Sequence, residues 1–168
     1  MPPELVVRPA STDELRRYVE LRDDAARHML ATGIDQWRPG QLDADGILEW
    51  VGDGEVFAAY LGAEMVGGML VMWSDPLFWG DHDGAAAGYT HGLLVDRRYK
   101  GRGLGRRLLA FAEGRIEAAG RRLARLDTVS GNAVLRAYYR DAGYREAGER
   151  VFHDDAPVDA VTLFEKPL

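Results

Sequence analysis

Between Leu93 and Leu109 the chain reads LLVDRRYKGRGLGRRLL. Gly101, Gly103 and Gly105 alternate through this run, and Lys100, Arg102, Arg106 and Arg107 surround them with positive charge. Glycine has no Cβ, so the backbone can turn sharply and bring its N–H groups against a ligand. The first amides of a following helix lack intrahelical acceptors and lie at the positive end of its dipole, so this layout suits a phosphate or pyrophosphate. Two nucleotide motifs fail on spacing. A Walker loop needs a Lys-Ser or Lys-Thr pair that is missing here, and a dinucleotide fingerprint needs GxGxxG in an early βαβ unit, whereas this is GxGxG after some ninety residues. A second chemically equipped stretch is DPLFWGDHD, where Phe78, Trp79, Asp81, His82 and Asp83 crowd together. Carboxylates and aromatic faces there suit one wall of a pocket for a cationic amine. The competing reading is a surface loop with Trp79 folded onto the core. Trp37, in DQWRPGQLD, is a further substrate-loop candidate.

The elements that must position these groups follow from pattern. Leu5 to Val7 reads as a short strand ended by Pro9. Ser11 and Glu14 form a capping-box signature for a helix to about Ala31, with Leu15, Tyr18, Val19 and Arg22 marking its faces. A shorter helix is expected over Asp43 to Val51, and a β-hairpin over Val56–Leu61 and Met65–Trp73. Tyr89 to Val95 is the strand that feeds the glycine loop, and Leu104 to Ala119 is the helix behind it, stopped by Gly120. Leu123 to Val129 alternates as a strand, Asn132 opens a helix that closes at Gly143, and Tyr144–His153 with Asp159–Glu165 form a terminal hairpin around a turn at Pro157. This order puts a parallel crossover inside a mostly antiparallel sheet.

Length and composition bound the answer. The 168 residues suit one domain spanning 1–168, and 46% hydrophobic with 29% charged residues is ordinary for a globular chain. Net charge is 21 minus 27, or −6, and basic residues are only locally clustered, which disfavours nucleic acid and fits a small polyanion. No Cys is present, which removes disulfides, thiolate metal sites and a cysteine nucleophile. No run approaches eighteen apolar residues and the N-terminus lacks a signal-peptide core, so a cytoplasmic protein away from the membrane is expected.

KGRGLG after LLVDRRY resembles the coenzyme A loop of the GNAT acyltransferase superfamily, with Lys100, Gly103 and Gly105 at the positions usually written Gln or Arg, Gly, and Gly or Ala. Arg98, Gly101 and Gly103 satisfy the same pattern two residues earlier, but Leu93, Val95 and a helix start at Leu104 favour the later register. A second run, from Asn132 and Ala133 through Tyr138, Tyr139, Arg140, Asp141, Ala142, Gly143 and Tyr144, is similar to the superfamily's Asn, Ala, Leu-Tyr-Glu-Lys-Leu-Gly-Phe signature. The resemblance covers Tyr89 to Tyr144 closely and the rest by element order. It implies an α/β (α+β) domain: a central mixed, mostly antiparallel sheet of about seven strands flanked by about four helices.

It also implies an acetyl-CoA-dependent N-acetyltransferase that moves an acetyl group to a small-molecule or peptide amine in a ternary complex, with no metal. The alternative is a non-catalytic acyl-CoA-binding or sensor module of the same fold. The implied cofactor residues are Leu93, Leu94 and Val95 along the pantetheine arm, Lys100, Gly101, Arg102, Gly103, Leu104, Gly105 and Arg106 around the pyrophosphate, and Asn132, which also suits an N-cap. Tyr139 matches the general acid, since a phenol with pKa near 10 is protonated at pH 7, while Tyr138 is assigned a structural role. Asp127 and His91 are rival bases, with a water chain as the third answer. Trp37, Phe78, Trp79, Asp81 and Asp83 are the substrate candidates. A homodimer through the segment from Val151 to Leu163 would suit the superfamily's habits.

Overall fold

The computed structural model describes residues 1–153 and 158–168. In chain order the elements are β1 (Leu5–Pro9), α1 (Thr12–Ala31), α2 (Ala44–Val51), β2 (Glu55–Leu61), β3 (Glu64–Met72), α3 (Pro76–Trp79), β4 (Ala87–Val95), α4 (Leu104–Ala118), β5 (Leu123–Val129), α5 (Ala133–Asp141), β6 (Arg145–Val151) and β7 (Ala160–Pro167). The seven strands form one mixed sheet in the order β1-β2-β3-β4-β5-β7-β6. The turn expected at Pro157 lies outside the described residues. Among the described residues, α3 is an α-helix absent from the sequence expectation, inside the stretch read as loop. Asp75 precedes Pro76 and accepts the Phe78 N–H at 3.3 Å, and Pro at the first helical position is preorganised for a helical turn.

Only β4 and β5 run parallel, and their pairing is short: Ala87 faces Leu123, Gly88 faces Ala124 and Tyr89 faces Arg125. Beyond Tyr89, β4 stays bonded to β3 and β5 stays bonded to β7. The two strands therefore part and leave two backbone edges facing a wedge. A β-bulge accompanies the parting: Gly68 and Leu70 of β3 oppose Leu94 and His91 of β4, so β4 carries one extra residue there. Bulges bend and twist the strand that holds them. Gly92 sits in this bulge with φ +58°, and a Cβ there would overlap the Tyr18 hydroxyl, so only glycine fits.

The sheet carries a core on each face. One packs Leu108, Ala112 and Ile116 of α4 with Met69, Val71, Leu126 and Phe164, and the other packs Leu15, Tyr18 and Leu21 of α1 with Ile47, Leu70, Met72 and Tyr89. α1 starts where the capping box expects: the Glu14 N–H donates to Ser11 Oγ at 3.3 Å and the Ser11 N–H to Glu14 Oε2 at 2.8 Å. The Tyr60 hydroxyl and Arg8 also bind Glu14 and tie the helix start to β1 and β2; the Ser11 N–H first, then Tyr60 and Arg8, hold its carboxyl well below the usual range. At the far edge, β6 is exposed, charged and bulged between Glu146 and Gly148, features that discourage strand pairing. Among the described residues no helix is long and apolar enough to cross a membrane.

Candidate active site

The wedge between β4 and β5 opens into a cavity of about 1020 Å³, walled by α1 and α2 on one side and by α5 and the glycine loop on the other. Leu93, Leu94, Val95, Lys100, Gly101, Gly103, Leu104, Gly105 and Arg106 all line it. Gly101 and Gly103 have φ of +82° and +71°, and Gly103 is the N-cap of α4 with no side-chain cap bond. The Arg107 N–H returns to the Gly103 carbonyl at 3.3 Å, so the amides just before it point out of the helix end toward the cavity mouth. This is a backbone cradle for an anion.

Two expected cofactor residues stand apart from that lining. Arg102 lies over the Tyr99 ring at 5.1 Å. Asn132 is buried as the N-cap of α5, accepting the Leu135 N–H at 3.1 Å and donating to Gln36 at 3.3 Å, so both ends of its amide are engaged. Tyr138 departs from its structural assignment. It lines the cavity beside Tyr139, with Arg106 5.7 Å from its ring and its hydroxyl close to Gly105. Neighbouring helix residues point about 100° apart, and a cavity this broad accepts both. Tyr139 is 8% exposed and packs on Tyr144 and Phe164 at 6.2 and 5.8 Å between ring centroids. Burial raises its pKa above the ordinary phenol value, and Tyr138 and Asp127 push the same way, so it is a protonated phenol at neutral pH.

The base candidates lie together. His91 is buried on β4, with Nε2 2.8 Å from Asp75 Oδ2 and Nδ1 3.7 Å from Asp127 Oδ2. Trp50 of α2 and Phe78 of α3 pack on the imidazole at 4.9 and 5.5 Å. Burial alone would lower the His91 pKa, but the hydrogen bond to Asp75 and the charges of Asp127 and Asp75 outweigh it and raise it. Asp127 is pushed up to about 6, first by burial and then by the Asp75 charge, against the pull of His91. Its buried Oδ2 has no hydrogen-bond partner. Donor atoms of the three residues lie within 4.8 Å of one another, a spacing that metal ligands also show. The Asp75–His91 hydrogen bond engages Nε2 and leaves Nδ1 toward the unpartnered Asp127 Oδ2.

Two more buried cavity-lining atoms lack partners: Thr90 Oγ1 on β4 and Arg22 Nη1 on α1. Arg22 is 5% exposed, lies over the Trp37 ring at 4.8 Å and donates through Nη2 to Gln41 at 3.3 Å.

Comparison with known proteins fits this geometry. Residues 17–144 match the acetyltransferase (GNAT) family model. The chain belongs to the GNAT acetyltransferase family. It is 30% identical over 168 residues to the uncharacterized N-acetyltransferase YesJ of Bacillus subtilis strain 168, covering 95% of this chain and 88% of YesJ. A GNAT acetyltransferase structure from Listeria monocytogenes superposes with TM-score 0.75 at 23% identity, covering 99% of this chain and 96% of that one. An acetyltransferase from Salmonella typhimurium solved with acetyl-CoA superposes with TM-score 0.69 at 17% identity, covering 97% and 93%. The protein is an acetyl-CoA-dependent N-acetyltransferase.

The acetyltransferase's acceptor side differs from the sequence expectation. Trp37 and Phe78 line the cavity. Trp79, Asp81 and Asp83 do not: Trp79 is buried against Tyr89 and under Arg125 at 4.3 Å, Asp81 is exposed, and Asp83 accepts from Ser74 Oγ at 2.6 Å and the Asp75 N–H at 3.0 Å. The short turn of α3 aims Phe78 into the cavity, turns Trp79 into the core and leaves Asp81 at the surface, where the carboxylate of Asp83 closes the loop. The acidic wall is therefore replaced by Asp75, which sequence reasoning passed over. Its signal was an Asp directly before Pro, the N-cap and first-turn pairing that fixes its orientation. Arg22 had a signal too: it stands at the centre of the stripe Tyr18, Ala25, Met29, whose spacing marks the buried face of α1.

Proposed function

We propose that the enzyme acetylates a primary amine by direct attack on acetyl-CoA, with Asp127 as general base and Tyr139 as general acid. The observation that carries this reading is the buried, unpartnered Asp127 Oδ2 facing the wedge beside His91. The trio sets two carboxylates against one imidazole, so it is net negative and attracts an ammonium. The ammonium gives a proton to Asp127, and its nitrogen lone pair attacks the thioester carbonyl carbon. Backbone N–H groups on the free edge of β4 near Leu94 and Val95 stabilise the oxyanion. The carbon–sulfur bond then breaks as the sulfur takes the Tyr139 proton, the attacking nitrogen loses its second proton to water, the amide leaves and Asp127 returns its proton to solvent. Tyr139 is reprotonated from solvent at the cavity mouth. Asp75 orients the His91 ring and keeps it charged, which is a positioning role.

The pantetheine arm lies along the free edge of Leu93 to Val95, and the pyrophosphate sits on the amides from Gly101 to Arg106. Free-thiol release measured over a panel of amines tests the assignment. Release that needs one acceptor class and falls about 10²- to 10⁴-fold in Asp127→Asn supports it. Full activity in Asp127→Asn would hand proton removal to water.

A further inference from the structure

Arg22 is a charged side chain in an apolar stripe, which demands a reason. Its neighbours along the buried face of α1, Tyr18, Ala25 and Met29, line the same cavity. A guanidinium this buried is normally paired with a carboxylate. Here the only charged neighbour in sequence, Asp23, instead accepts the Gly40 N–H at 3.1 Å. Arg22 forms no ion pair among the described residues; Gln41 takes one Nη and the Trp37 ring takes one face, while Nη1 is buried, unpartnered and in the cavity wall. Gln41 is itself held by the Arg38 N–H at 3.3 Å. The guanidinium is thus fixed in place with its donors spare, the state of a preorganised anion receptor.

Arg22 is also separate from the cofactor cradle. The cradle draws its amides and cations from β4 and the start of α4, whereas Arg22, Trp37 and Gln41 belong to α1 and the segment leading to α2, across the cavity from α5. One guanidinium neutralises one negative charge. The acceptor side of the cavity also holds the Asp75–His91–Asp127 trio, two carboxylates to one imidazole and so net negative. An acceptor region with a fixed guanidinium and a net-negative trio is complementary to a zwitterion.

Resting on the acetyl-transfer reading above, we propose that the acceptor is a free amino acid, its carboxylate held by Arg22 while its ammonium faces Asp127. In a peptide or protein N-terminus that carboxylate has become an amide, so Arg22 selects small amino acids against polypeptide termini.

The test compares α- and ω-amino acids with their own amides and with the corresponding decarboxylated amines, by thiol release with acetyl-CoA and by calorimetric binding to the protein–CoA complex. The expected result is kcat/KM at least about 10²-fold higher for an acid than for its amide, since a buried donor left without its anion costs that much. Arg22→Met, which keeps the bulk of the side chain, should raise KM for the acid about 10²-fold, leave KM for acetyl-CoA unchanged and erase the preference over the amide. Arg22→Lys, which keeps charge and loses the fork, should fall between. The acid–amide comparison on the unaltered enzyme does not depend on either variant folding. Amides or plain amines used as well as acids would overturn the proposal, as would a rise in KM for acetyl-CoA alone in Arg22→Met. If acids bind the CoA complex in an Arg22-dependent way without turnover, the carboxylate site stands and the catalytic reading fails. If no acid binds, the carboxylate site is refuted.

Discussion

The Tyr18 hydroxyl donates to the Gly92 carbonyl at 2.5 Å, which ties α1 to the bulge that bends the cofactor strand. Tyr18 is 1% exposed, so its side chain is fixed in the core where it meets the bulge. Two substitutions separate its parts. Tyr18→Phe removes the donor and leaves the buried carbonyl of Gly92 short of a partner, at a cost of about 1–3 kcal/mol. Gly92→Ala adds a Cβ into the tyrosine hydroxyl and holds a non-glycine residue at positive φ, so it should cost more, by about 1–2 kcal/mol of backbone strain beyond the displaced bond. Urea denaturation of both variants measures this, and acetyl-CoA affinity should fall with Gly92→Ala because the free edge of β4 moves. A smaller cost for Gly92→Ala than for Tyr18→Phe would show that the bulge tolerates a side chain.

The pKa of Asp127, pushed up to about 6, gives the pH dependence its sign. A base works only when deprotonated, so kcat/KM should hold steady above pH 6 and fall about tenfold per pH unit below it. In Asp127→Asn that acid limb disappears along with most of the rate. Stability runs the other way. The folded state binds this proton more tightly than the unfolded chain does, so the Asp127 contribution is full below the ordinary carboxyl range and is lost as pH rises through about 6. Thermal melts from pH 4 to 7 should show Asp127→Asn gaining on the wild type as pH rises.

Much of this was written in local pattern. The capping box, the β2–β3 hairpin, the strand–glycine–helix run and the N-cap Asn132 each rest on neighbours in sequence, and all appear where periodicity and cap chemistry put them, with the hairpin turn one residue shorter because Glu64 joins β3. Asp127 and His91 were legible as residue types but only as rivals. Their 3.7 Å approach depends on how two strands diverge after Tyr89, a long-range property of the sheet. The loop from Ser74 to Gly84 misled for a related reason. Composition marks it as acidic and aromatic, yet whether each group faces the cavity depends on the single helical turn that Asp75 and Pro76 start.

Asp75 acts through His91, and its removal should be read on His91 itself. In Asp75→Asn the imidazole loses the carboxylate charge and the charge-assisted hydrogen bond that raise its pKa against burial, leaving Asp127 alone to do so. The His91 ring proton resonances, followed by NMR against pH, should titrate at lower pH than in the wild type. Activity should drop by about 10- to 100-fold, the scale seen when a partner that orients a functional histidine is lost. An unchanged His91 titration would reduce Asp75 to the N-cap of α3.

Tyr139→Phe isolates the acid. The ring packs between Tyr144 and Phe164, contacts that phenylalanine keeps, so melting should shift little. The phenol is protonated throughout the working pH range, since burial raises its pKa above the usual tyrosine value. It therefore adds no alkaline limb near neutrality, and its loss should lower kcat about 10- to 10⁴-fold at every pH while KM for both substrates stays close to wild type. The size of the drop should depend on the leaving group. A thiolate that needs no proton to depart bypasses the acid, so an acetyl thioester of a more acidic thiol should recover a large part of the lost rate in Tyr139→Phe and gain little in the wild type. Equal losses with both thioesters would mean that the hydroxyl positions the cofactor and that the sulfur takes its proton from elsewhere.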